Sequence, residues 1–178
     1  MKPQSSESLL FDALAFAAHK HRDQRRRDAH ASPYINHPIE LARVLTVEAG
    51  IGDVPTLIAA VLHDTIEDTE TTYDELRAHF GQVVADVVAE VTDDKALPKG
   101  ERKRLQVVHA PHQSERAALV KLADKTCNLR DMAHNPPVGW ALERRREYFD
   151  WALQVVDALP PVHARLRAIF DAAYAKRP

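Results

Sequence analysis

Apolar residues recur every three to four positions along most of this chain, the spacing of one face of an α-helix. Leu9, Leu10, Ala13, Leu14 and Ala17 form the first such stripe, with Ser6 as a candidate N-cap. A basic stretch, KHRDQRRRD, and a loop, AHASPYINHP, follow it. Pro38 suits the first turn of a second helix, PIELARVLTVEA, and Gly50 is placed to end it. Asp53 and Pro55 open a third helix, in which Val54, Leu57, Ile58, Val61 and Leu62 share a face, and which runs on through HDTIED. Thr72 and Glu75 have the spacing of a capping box for a fourth helix, closed by Gly81. A fifth spans roughly 82–91. Beyond the polar loop TDDKALPKGERKR come ERKRLQVVHA, ERAALVKLADKTCNLRDMA, GWALERRREYFDWALQVVDAL and PVHARLRAIFDAAYAK, with HNPP stopping the second of these four.

Alternating β-branched runs are few and glycines number only 5, so the pattern predicts an all-α protein. No repeat or linker divides the 178 residues, which suit a single domain with its core over roughly 9–174. A hydrophobic content of 45% with 28% charged residues belongs to an ordinary globular chain. The net charge of -2 gives no global attraction for nucleic acid or anionic lipid, so any anion-binding surface must be local. KHRDQRRRD alone, with few aromatic residues around it, falls short of a nucleic-acid interface. Cys127 is the single cysteine, which suits a reducing compartment. No apolar run approaches the ~20 residues of a membrane span. The N-terminus also lacks the order of a secretory signal. The expectation is a cytoplasmic protein that handles a small molecule.

The third helix raises the chemical question. His63, Asp64, Glu67 and Asp68 fall within six residues, and positions four apart stack on a helix. A solvated outer face is one reading. Against it, the patch holds no lysine or arginine, and its acids lie at a helix C-terminus, where the macrodipole opposes them. A bound cation would reverse that sign. Further ligands would come from His37, at a helix start in YINHP, and from Asp124 in LVKLADKTCNL. A mid-helix Asp among apolar residues needs a partner, and Lys121 or Lys125 would also serve. Asn128 follows Asp124 one turn later. Two imidazoles with two carboxylates suit Mn²⁺, Fe²⁺, Co²⁺ or Zn²⁺ better than Ca²⁺ or Mg²⁺.

The words HRDQRRR, PYINHP, AAVLHDTIEDT, VTDDKALPKGERKR and VKLADKTCNLRDM stand in a characteristic order and spacing. In that order they resemble the hydrolase domains of the RelA/SpoT family of HD-domain metal-dependent phosphohydrolases, most of all its small stand-alone members. The resemblance covers nearly the whole chain. It implies an all-helical HD fold, one Mn²⁺, and hydrolysis of guanosine 3′,5′-bis(diphosphate), ppGpp, or its pentaphosphate to GDP or GTP and pyrophosphate. It assigns the metal ligands to His37, His63, Asp64 and Asp124, and water activation to Glu67 and Asp68. Arg26 matches the arginine of the family's HxxQxR word, and Lys99 and Arg144 fall where related hydrolases hold phosphates. Tyr34 is a candidate for packing on base or ribose, and Asn128 for the ribose or 3′-phosphate. Trp140 fits either the core or the site. Arg25, Arg27 and Lys103 read as solvated surface charges. Full-length family members continue into a synthetase domain that has no counterpart here, so degradation without synthesis is expected. Competing readings are hydrolysis of ppApp or NADPH, and a non-catalytic nucleotide sensor. The intact Glu67, Asp68 and ligand positions count against the sensor.

Overall fold

The computed structural model describes residues 5–178 and bears out the all-α expectation. Ten α-helices follow one another: α1 (Ser6–Lys20), α2 (Asn36–Arg43), α3 (Val54–Leu62), α4 (Thr65–Asp68), α5 (Tyr73–Phe80), α6 (Gln82–Val91), α7 (Lys99–His109), α8 (Glu115–His134), α9 (Leu142–Ala158) and α10 (Ala164–Tyr174). A π-helical turn, Val44–Glu48, continues α2, and a 3-10 turn, Ala110–His112, continues α7. Among the described residues, the only β pairing is an isolated bridge between Arg25 and Pro33. No helix among the described residues is long and apolar enough to cross a membrane.

Local sequence explains several helix ends. Ser5, rather than Ser6, caps α1 by accepting the Ser8 N–H at 3.2 Å. Asp53 accepts the Thr56 N–H at the start of α3, with Pro55 in its first turn. Thr72 accepts the Glu75 N–H, but the Glu75 carboxylate does not close the capping box; it pairs with Lys20 at 3.0 Å. Gly50 and Gly81 take φ of +77° and +88°, values that L side chains avoid, and so end α2's extension and α5.

Helix α8 lies at the centre, with α2, α3, α6, α9 and α10 packed around it. It is buried on nearly every side, from Ala117 to Met132, as is α3 from Thr56 to Leu62. α3 is apolar almost all round and so belongs in the interior, whereas α8 carries charged residues inward among its apolar ones. Phe149 and Phe170, brought by α9 and α10, fill the space beside α8 with no exposure.

The third predicted helix does not run on through HDTIED. It ends at Leu62; His63 and Asp64 form a turn, and α4 is a separate helix of 4 residues. The Leu62 carbonyl freed by the break accepts the buried Thr65 hydroxyl at 2.7 Å. The stacked two-by-two patch is therefore dissolved. His63 is buried, and the two acids of α4 turn to different neighbours.

Candidate functional site

His37 enters from the first turn of α2, His63 from the turn after α3, and Asp124 from the middle of α8. Their donor atoms lie within 4.8 Å of one another. His63 Nδ1 lies 2.8 Å from the Ala60 carbonyl, which can only accept, so Nδ1 carries the proton. Its buried Nε2 then presents a lone pair, and no hydrogen-bond partner meets it. The nearest oxygens belong to carboxylates: Asp64 Oδ2 at 2.9 Å, outside hydrogen-bonding geometry, and Asp124 Oδ1 at 3.9 Å. A lone pair facing two anions is repulsive unless a proton or a cation lies between them. Burial works against a charged His63, yet Asp64 and Asp124 push its pKa up to about 9. The donor set and this unpartnered nitrogen both fit a divalent transition metal ion.

Asp124 is held from several sides. Its Oδ1 accepts from Asn128 Nδ2 at 2.6 Å and lies 3.2 Å from His37 Nε2. Its Oδ2 faces Lys125 Nζ at 3.2 Å. Burial opposes the charge, but Lys125 and His37 hold the carboxyl well below its usual range. Lys121 turns away and donates to the Val91 carbonyl. Asp64 stands just outside the group of three donors, and the Tyr34 hydroxyl donates to its carboxylate.

The acid pair divides. Glu67 Oε2 accepts the Asp93 N–H at 3.1 Å, and its Oε1 lies 3.6 Å from Arg102. Burial, then the charge of Asp64, raises its pKa. Glu67 opens into a cavity of about 290 Å³ that also holds His37, His63 and Asp124. Asp68 opens instead into an adjoining cavity of about 510 Å³, together with Arg26, Asn128 and Asp131. Tyr34, Asn128, Trp140 and Tyr148 line both. The cations missing from the HDTIED segment arrive from elsewhere, because Lys95 pairs with Asp68 and Arg102 approaches Glu67.

The rim of the first cavity is crowded with positive charge. Burial, then Arg144, Arg27 and Arg102, lower the pKa of Lys99. Lys99 Nζ and the Arg144 guanidinium lie 5.5 Å and 4.0 Å from the Trp140 ring centre. Lys103, read from sequence as a surface charge, is a correction: it lines this cavity with its Nζ 4.5 Å from the Trp151 ring. Arg25 and Arg27 are exposed, yet both border the second cavity. Arg26 is engaged already, in an ion pair with Asp131 and 5.7 Å from the Tyr34 ring.

The HD-domain family matches residues 13–150. The chain belongs to that family. The mouse guanosine-3′,5′-bis(diphosphate) 3′-pyrophosphohydrolase MESH1 is 55% identical over 173 residues, covering 97% of each chain. An Aquifex aeolicus guanosine-3′,5′-bis(diphosphate) 3′-pyrophosphohydrolase is 39% identical over 133 residues, 73% of this chain and 18% of that protein. A solved structure, described as a metazoan ortholog of SpoT that hydrolyzes ppGpp and plays a role in starvation responses, superposes with a TM-score of 0.92. It is 46% identical and covers 99% of this chain and 98% of that one. The all-α HD fold expected from the sequence is thus borne out.

Several residues of this HD-domain site escaped the sequence reading. Tyr148 and Trp151 wall the first cavity from α9, and Asp93 donates its backbone N–H to Glu67. Asp131 takes Arg26, and His21 with Gln24 reaches Asp68. Only the last pair left a local signal, since His21 and Gln24 are the histidine and glutamine of the HxxQxR word from which Arg26 alone was singled out.

Proposed function

We propose that this protein is a metal-dependent 3′-pyrophosphohydrolase acting on guanosine 3′,5′-bis(diphosphate), with residues 9–174 working as one catalytic unit. The observation that carries the reading is one cavity joining three things: the His37–His63–Asp124 donor group, the Glu67 carboxyl and the crowded cations around Lys99. Relatives named for this activity, matched over nearly the full length of both chains, support the choice of substrate.

Mn²⁺ is the ion we assign to His37, His63 and Asp124, with Asp64 completing the set. A divalent ion held by these residues would make a nearby water more acidic and would offset charge on a phosphoryl oxygen. Glu67 accepts the water's proton while the water oxygen bonds to the phosphorus carried on ribose O3′. The bond from that phosphorus to O3′ breaks, O3′ takes up a proton, and the products are GDP and pyrophosphate. A carboxyl whose proton affinity is raised suits a base working near neutral pH. Asp68, which faces the adjoining cavity, is assigned the orienting of the reacting water from that side. Lys99, Lys103 and Arg144 take the phosphates, guanidinium and ammonium groups being suited to their oxygens. Arg26, Tyr34 and Asn128 border the nucleoside side, and Arg26 exchanges its Asp131 partner when substrate enters.

The test is pyrophosphate release from ppGpp, with metal content measured alongside. Chelation should abolish turnover and Mn²⁺ should restore it. His63→Ala should lose metal and turnover together, while Glu67→Gln keeps its metal and loses ~10²–10⁴-fold in kcat. Full turnover by metal-free protein would sink the reading. Running pppGpp, ppApp and NADPH beside ppGpp separates this substrate from its rivals.

A further inference from the structure

Asp68 is fixed by contacts outside the His37–His63–Asp124 group. Its Oδ1 takes Lys95, a half-exposed side chain on the loop before α7, and its own N–H donates to the Asp64 carbonyl at 2.8 Å. Its Oδ2 takes Gln24 Nε2 at 2.8 Å, across 44 positions of sequence.

Gln24 is itself clamped. Its N–H donates to the His21 carbonyl at 2.9 Å, and its carbonyl accepts the Tyr34 N–H at 3.2 Å. Its Oε1 lies 2.6 Å from His21 Nδ1. A carboxylate can only accept, so the amide must turn Nε2 to Asp68 and Oε1 to His21. Oε1 then requires a proton on His21 Nδ1. Burial lowers the His21 pKa, which keeps the ring neutral with its one proton committed to Gln24. The remaining nitrogen, Nε2, is buried without a partner. A buried polar atom left unpaired costs stability and calls for a reason.

We propose that His21 and Gln24 form a positioning relay that fixes the Asp68 carboxylate for the hydrolytic step. It rests on the hydrolase reading above. Gln24 is assigned no contact with the reacting atoms; it acts through the hydrogen bond that its Nε2 donates to Asp68. Because the amide is planar and anchored at both ends, it allows Asp68 one orientation, whereas Lys95 on its exposed loop allows several.

The test has two arms. The first needs no activity: ¹⁵N spectra of the histidines in the intact protein should find His21 protonated at Nδ1. The Nε2-protonated tautomer would mean that the amide is turned around and would overturn the relay. The second compares Gln24→Leu and the isosteric Gln24→Glu with the parent, reading kcat and KM for ppGpp together with Mn²⁺ content. Loss of a hydrogen bond to a charged group should lower kcat roughly ten- to hundredfold, with KM and metal unchanged. In an Asp68→Asn background the Gln24 substitutions should cost nothing more, since the group they act through has gone. Unchanged kcat in the single variants would sink the proposal. A loss that persists in full beside Asp68→Asn would do the same. A parent protein inactive on ppGpp would count against the hydrolase reading, while the tautomer arm would still judge the relay.

Discussion

Lys121 and Lys125 both lie buried on α8, and only Lys125 reaches Asp124. Lysine side chains are long enough that spacing alone does not fix where the ammonium goes. Lys103 makes the same point with a functional consequence. Its ammonium sits over Trp151 inside the first cavity, and burial followed by the charge of Lys99 lowers its pKa. A cation held among other cations gains most when an anion arrives. Lys103→Ala should therefore raise KM for ppGpp about tenfold, with metal content unchanged, from the loss of one charged contact. The contrast should shrink in high salt, because screening weakens contacts near the cavity mouth. Steady-state kinetics at two ionic strengths would check it. A KM equal to that of the parent would return Lys103 to the surface role first assigned to it.

At the scale of elements, the break between α3 and α4 does what a continuous helix would not. It turns His63 inward to the Ala60 carbonyl and sends Glu67 and Asp68 into adjoining cavities. The break frees the Leu62 carbonyl, and the Thr65 hydroxyl, fully buried, satisfies it. Thr65→Val keeps the shape and removes the donor. Leaving that carbonyl unpaired should cost ~1–3 kcal/mol. Denaturant unfolding should register the loss, and Mn²⁺ affinity should fall with it because His63 sits at the same turn. Thr65→Ser, which keeps the hydroxyl, should recover most of both. Equal stability in the valine variant would mean that the break is held by packing alone.

For the whole molecule, the donor group joins elements that are distant in sequence: α2, the turn after α3, and α8. An ion that binds only when these are assembled stabilises the native state by mass action. At a free Mn²⁺ concentration 100-fold above its Kd the gain is about 2.7 kcal/mol. In a chain of this size that corresponds to roughly 5–10 °C in Tm. Thermal unfolding with and without Mn²⁺ should reveal the shift in the parent and its absence in His63→Ala. A parent Tm indifferent to the metal would argue against a bound ion.

The sequence by itself determined the helices and the residue types of the site. Helical periodicity, caps such as Asp53 and Thr72, and the left-handed turns at Gly50 and Gly81 are all local, so they can be read within a few residues. The words containing His37, HDTIED and Asp124 pointed to metal chemistry for a related reason, since local composition was out of keeping with a helix left alone in water. Tertiary structure decided who meets whom. His37 and Asp124 are 87 positions apart, and Gln24 and Asp68 are 44 apart. It also decided that α3 should stop at Leu62, that Lys125 rather than Lys121 should hold Asp124, and that Lys103 should enter the cavity. Periodicity assigns a residue to a face of its helix. The partner that face finds depends on how the helices pack around α8, and neither term of that packing is local.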